Sequence, residues 1–264
     1  MPPEFCDIIP KFKMIIKMMV KKSNCLKSKF GARGMRYSSE FLLECALLLI
    51  KFPKGYKHCL NHKLLPLPTT RTLHRLLRGL KCGFGINKNA ILAIKQHFAA
   101  KLMNEQFGVL IFDEVKLRET VNYEKSSQSF SGFVDFGDFT PEESKTQLAN
   151  HALVFLFVPL LEKWVQPVAC FAARGATSGK ILAKLIISLI IELESANAKV
   201  VGIVNDGSTS NKLAWKELGI SGKVNSIKNK FPNPYDKKRS VFALGDYVHE
   251  WKCIRNHIEK TKNV

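Results

Sequence analysis

Two short apolar runs in this chain end on acids, and their chemistry sets the questions for everything else. In Phe107-Gly-Val-Leu-Ile-Phe-Asp-Glu-Val-Lys-Leu-Arg118 the unbroken, β-prone stretch Val109–Phe112 reaches Asp113. In Lys199-Val-Val-Gly-Ile-Val-Asn-Asp206-Gly207 a similar run reaches Asp206. A carboxylate at a strand end is costly to desolvate unless a metal ion, a basic side chain or solvent meets it, and one acid alone leaves those three open. Two such acids on neighbouring parallel strands face one edge of a sheet. Paired carboxylates there suit Mg²⁺ or Mn²⁺, hard cations that take oxygen ligands and retain waters. Two such ions about 3.5–4 Å apart stabilise both the attacking and the leaving oxygen in phosphoryl transfer.

The elements that would position these acids follow from periodicity. The first run reads as a strand buried on both faces, with Asp113 at its carboxyl end and Glu114 on the opposite face. Val115–Tyr123 is expected to pair with Phe130–Phe136 across a Ser-rich turn. Leu153–Val158 and Trp164–Phe171 are further strands. Ser178 or Thr177 caps a helix to about Ser195, with Leu182, Leu185, Ile186, Leu189 and Ile190 inward. The strand ending on Asp206 follows, and Val241–Leu244 reads as another. Gly175-Ala-Thr-Ser-Gly179-Lys180 superficially matches a phosphate loop, but it has three residues between the glycines and Ile181 after the lysine, so it reads as a turn and helix cap.

Upstream, three helices are expected between Met35 and Leu102. Ser38 or Ser39 caps the first, whose apolar face is Phe41, Leu42, Ala46, Leu49 and Ile50, ended by Pro53 and Gly55. Thr69 or Thr70 caps the second, which carries Leu73, Leu76, Leu77 and Leu80. The third runs from Asn87 through Ile91, Leu92, Ile94 and Phe98. Three short helices of this kind suit a helix-turn-helix. The polar face of the second carries Arg71, His74, Arg75 and Arg78, and arginine matches both phosphate and guanine edges. His58, Cys59 and His62 form a weaker metal-type cluster.

The chain has 264 residues and a formal net charge of +19, with the excess concentrated in residues 1–106. Such a block is an electrostatic footprint for nucleic acid or an anionic membrane surface. Seven scattered cysteines without a Cys-x-x-Cys pair exclude a zinc ribbon and a disulfide scaffold, and free thiols suit the cytosol or nucleus. No stretch reads as a membrane span or signal peptide. Lys21-Lys22 is a weak nuclear-import signal.

Several segments resemble P-element transposases and their THAP-domain relatives. They are Gly34–Ser38, Leu65–Arg75, Phe112–Arg118, Gly132–Asp135, Trp164–Pro167 and Asn205–Gly207, in the family's order, and the likeness covers residues 34–258. It implies an α/β (α+β) chain in which a helical helix-turn-helix region precedes an RNase H-like mixed β-sheet with flanking helices. The domains expected are a basic lead-in over 1–34, the DNA-binding region over 35–104 and the catalytic domain over 105–264. Asp113 and Asp206 match the family's first two catalytic, metal-binding acids. Asp246, His249, Lys252, Arg255 and Asn256 match a D-x-x-H-x-x-K-x-x-R-N segment of unassigned role. The resemblance implies a Mg²⁺ or Mn²⁺ cofactor, DNA as partner, a homo-oligomer as one possible assembly and a nuclear location. The family's GTP-binding insertion, its third acid, a glutamate, and its THAP zinc finger have no match here, so the domain is expected to be incomplete at its C-terminus. Two functions follow: a transposase, or a fragment of one, that cuts and joins DNA, and an inactive, transposase-derived DNA-binding protein.

Overall fold

A computed structural model describes residues 10–27, 35–78, 83–124 and 128–261, which divide into two compact units, 1–81 and 82–264. In the first unit, α1 (Pro10–Lys27), α2 (Ser39–Lys51), α3 (Pro53–Asn61) and α4 (Thr70–Arg78) surround one small core. That core is Met18, Phe41, Cys45, Ala46, Leu49, Tyr56, Leu67 and Leu73. The basic lead-in is therefore helical from Pro10, with Met18 as its buried anchor.

Capping explains where these helices begin. Ser38 accepts a hydrogen bond from the Phe41 N–H at 3.4 Å and starts α2, and Thr69 accepts from the Thr72 N–H at 3.3 Å to start α4. Pro53 does end α2, but only because it opens α3 from a position where its missing N–H costs nothing, and Gly55 lies inside that helix. The expected inward faces need correction at two positions, since Ile50 and Leu76 are exposed. Cys45 and Tyr56 fill the core in their place, and the Tyr56 hydroxyl donates to the Pro68 carbonyl at 2.6 Å. Leu80 lies outside the described residues.

The second unit is built on a seven-stranded sheet. Its strands are β1 (Gly85–Ile86), β2 (Phe107–Lys116), β5 (His151–Pro159), β6 (Gln166–Ala173), β7 (Lys199–Asn205), β8 (Lys230–Pro232) and β9 (Ser240–Gly245). Their order across the sheet is β1-β6-β5-β2-β7-β9-β8. β2 pairs antiparallel with β5 and parallel with β7, and β7 is parallel to β9. Helices α5 (Lys88–Phe98), α6 (Gly179–Ser195) and α7 (Thr209–Glu217) complete the layer beside it, and α8 (Tyr247–Thr261) follows β9.

The apolar residues of α6 are buried as the periodicity required, with Leu182, Leu185, Ile186, Leu189 and Ile190 at 2% exposure or less. They join Leu110, Phe112, Leu153, Phe155 and Phe157 of the sheet in one core. Ile91, Ile94 and Phe98 of α5 belong to the same core. This corrects the domain boundary: α5 is a sheet-packing helix of the second unit, not the third helix of a 35–104 region. Its amphipathic pattern is the same in either place, which is why local sequence could not choose.

β2 also departs from expectation. Leu110 and Phe112 are buried while Val109 and Ile111 on the other face are half-buried, so the strand alternates. It continues through Asp113 to Lys116, paired throughout with β5. The expected long hairpin shrinks to a two-stranded ribbon of β3 (Asn122–Glu124) and β4 (Ser129–Ser131). Phe133 and Asp135 instead make bridges to Leu148 and Ala172.

Two glycines permit close packing. A Cβ at Gly108 would meet the Phe157 ring and, at 2.7 Å, the Val158 carbonyl oxygen. At Gly179 it would sit 2.8 Å from the Ala214 backbone nitrogen, where the backbones of α6 and α7 come close together. Because backbone cannot swing aside, Gly179→Val is expected to push these helices apart and cost about 1–3 kcal/mol, typical of overpacking. A thermal melt unchanged from wild type would contradict that packing.

Candidate active site

The two acids meet at one cleft. β2 and β7 run parallel with Ile111 opposite Val204, so Asp113 and Asp206 each lie two positions further on, on the same side of the sheet. Asp206 directly follows the last residue of β7, whereas Asp113 lies inside β2, at the point where β7 has ended and only β5 still pairs with it. Both line a cleft of about 380 Å³ together with Glu114, His151, Ser208 and Asn211, among others.

Each carboxylate is held by one oxygen. Asp113 Oδ1 accepts from the Glu114 N–H at 2.7 Å. Asp206 Oδ1 accepts from the Ser208 N–H at 2.9 Å and from the Asn211 amide at 2.6 Å. Partial burial pushes the Asp206 carboxyl up, but the Ser208 and Asn211 hydrogen bonds and the nearby His249 outweigh it and hold the group below its ordinary range. Asp206 is thus kept ionised. The second oxygen of Asp113 accepts no hydrogen bond among the described residues, whereas the Ser208 side chain adds a further hydrogen bond to the Asp206 carboxylate.

Glu114 has a different task. It points to the opposite face, as the alternation required, where Oε1 accepts from the Thr177 N–H at 2.8 Å just before α6. The supposed phosphate loop is the turn and cap expected of it: Gly175 has φ +65° and Ser178 accepts from the Ile181 N–H.

The D-x-x-H segment spreads out. The Asp246 N–H donates to the Asn205 carbonyl at 2.8 Å, and the Asp246 side chain accepts from the Val248 N–H, so this acid starts α8. The turn brings His249 within electrostatic reach of Asp206. Lys252, Arg255 and Asn256 are exposed along α8, where Arg255 bonds to Asn256 and Glu259. Glu250 folds back against Gly245. On α4 of the first unit, Arg71, His74 and Arg75 are exposed and line an open cleft with Thr69, Thr70 and Thr72; the Arg78 side chain lies outside the described residues. The His58 and His62 rings lie 4.4 Å apart, but among the described residues no three His, Cys, Asp or Glu side chains are placed to hold a metal.

Residues 82–219 match the family described as TNP-like, RNase H N-terminal domain. The chain belongs to this family. The match begins at the boundary between the two units and ends just beyond α7, so it contains both aspartates. Among curated relatives, human DNA transposase THAP9 is 24% identical over 86% of this chain, and the Drosophila melanogaster transposable element P transposase is 28% identical over 87%. The chain spans about a quarter of the length of each, 25% and 27%. The fold matches a solved Drosophila P element transposase strand transfer complex with a TM-score of 0.70 at 24% identity, covering 94% of this chain and 49% of that one. The mixed sheet with its flanking helices is therefore the RNase H-like fold of this family. No helix among the described residues is long and apolar enough to cross a membrane.

Sequence reasoning missed Asn211, Ser208 and His151. The first two had a signal: in Ser208-Thr-Ser-Asn211 the residues occupy the cap and third positions of α7, where polar side chains turn back toward the preceding segment. His151 had none, because its place depends on the pairing of β5 with β2.

Proposed function

We propose that this chain is the DNA-binding and RNase H-like part of a P-element-type transposase, acting in the nucleus, with Asp113 and Asp206 as catalytic acids that hold Mg²⁺ or Mn²⁺ for DNA strand cleavage and transfer. The observation that carries this reading is the meeting of two acids in one cleft, Asp206 just past the end of β7 and Asp113 on the adjacent parallel strand β2, each carboxylate engaged through Oδ1. That donor set fits a hard, oxygen-seeking cation and supplies two of its ligands. When bound, such a cation lowers the pKa of a coordinated water and stabilises charge on the phosphoryl oxygens. The chain's own contribution is to favour the ionised form of Asp206 through Ser208 and Asn211, to hold Asp113 within β2 and to fix Asp206 between the end of β7 and the start of α7. Nicking of supercoiled plasmid in Mn²⁺, abolished by Asp206→Ala, tests the proposal.

The first unit supplies the DNA-binding half of it. Helices α2–α4 around one core support a helix-turn-helix, with Arg71, His74, Arg75 and Arg78 on the recognition helix. The Arg71 and Arg75 side chains border an open cleft of about 510 Å³ at the helix start, where backbone N–H groups also favour phosphate. Arg75→Ala is expected to weaken binding to duplex DNA and reduce the slope of log affinity against log salt by about 1. An unchanged slope in fluorescence anisotropy would remove Arg75 from the interface.

One observation favours a second reading, a DNA-binding protein without catalysis. Among the described residues no third His, Cys, Asp or Glu joins the two aspartates in a metal-holding group. That reading keeps the salt-dependent DNA binding and loses the nicking.

A further inference from the structure

Asn211 is 8% exposed, and its amide donates to Asp206 Oδ1 at 2.6 Å, a short contact to a carboxylate. The Ser208 N–H occupies the same oxygen at 2.9 Å. We infer that Asn211 is a positioning residue that restricts Asp206 to offering one oxygen, Oδ2, to a divalent cation. The inference rests on the metal reading above and deepens it.

Several features make this more than an incidental contact. Asn211 stands in the first turn of α7, whose other side is fixed where Gly179 of α6 approaches Leu213 and Ala214. The donor is thus anchored to the core of the second unit and does not ride on a loop. Asp206 itself sits in the loop between β7 and α7, followed by Gly207 at φ +67°. Without the Asn211 amide, its side chain would be steered only by local bonds to Ser208. With Oδ1 engaged by two donors, the remaining oxygen is a monodentate ligand, suited to the octahedral geometry that Mg²⁺ demands. Asp113 repeats the pattern with one oxygen on the Glu114 N–H. Partners that orient a ligand in this way typically govern metal affinity by 10–100-fold.

The test is calorimetric Mn²⁺ titration of the whole chain, beside thermal melts of each protein. Asn211→Leu keeps the volume and removes the donor, Asn211→Ala removes both, and Asn211→Gln keeps an amide donor. Affinity is expected to fall about tenfold or more in the leucine and alanine variants and clearly less in the glutamine variant, irrespective of the order of their melting temperatures. Wild-type affinity in a folded leucine or alanine variant would overturn the role of Asn211 while leaving the metal site standing. Affinities that follow melting temperature and ignore the donor would reduce Asn211 to a structural residue. No Mn²⁺ binding by the wild type would overturn the metal reading and this inference together, an outcome distinct from the other two.

Discussion

Asp113→Ala and Asp206→Ala are each expected to reduce Mn²⁺-dependent plasmid nicking by about 10³-fold or more while leaving the fold and duplex DNA binding intact. The size follows from what the carboxylates do. Displacement at phosphorus concentrates negative charge on oxygens, and removing even a single preorganised electrostatic partner typically costs about 10²–10³ in rate. Removing a ligand of the cation that neutralises this charge removes more than one such partner. The fold should survive because Asp113 is exposed and Asp206 half-exposed, and neither belongs to the apolar core. Glu114→Gln is an informative comparison: Glu114 also borders the cleft, but its Oε1 accepts from the Thr177 N–H and glutamine retains that acceptor, so a much smaller loss is expected. Equal nicking by wild type and both alanine variants would assign the cleavage to another source. No nicking by any of them would favour the binding-only reading.

The largest expected loss of stability comes from Glu194→Ala. Glu194 is fully buried at the end of α6 and gathers three donors: the Val200 N–H at 2.9 Å, the Asn233 amide at 2.7 Å and the Arg239 guanidinium. It ties the end of α6 to the start of β7 and to the turn between β8 and β9. Truncation would leave Asn233, itself 0% exposed, and the Val200 N–H without their acceptor. Arg239 is 23% exposed and keeps Asp236 at 3.0 Å, which softens the loss. Breaking one side of a buried pair costs about 3–5 kcal/mol, and the retained Asp236 contact places this case near the lower end, about 3 kcal/mol. For a unit of this size that is a fall in melting temperature of about 6–12 °C. A shift below about 2 °C would mean that water replaces the lost acceptor.

How much of this was legible in the sequence depends on how local each feature is. The caps at Ser38 and Ser178 and the inward stripe of α6 rest on short patterns, and the structure places them as expected, whereas Asp113, expected at a strand end, lies inside β2. The domain boundary and the assignment of α5 failed because an amphipathic helix does not state which core receives it. The long hairpin failed because Phe133 and Asp135 find partners in distant Leu148 and Ala172, which no turn signal encodes. Glu194 was invisible for the same reason: Asn233 and Arg239 lie 39 and 45 residues away. The pairing of Asp113 with Asp206 became visible only because two β-prone runs ended alike. Asn211, one turn further along, needed the geometry.

The most direct test of the account is a Mn²⁺ titration of the wild type, of Asp113→Ala and of Asp206→Ala, read by electron paramagnetic resonance of the free ion. Saturable binding by the wild type and its loss in either single variant are expected, because neither carboxylate alone makes the site. Binding retained at wild-type affinity in both variants would contradict it and show that the two aspartates do not share a metal.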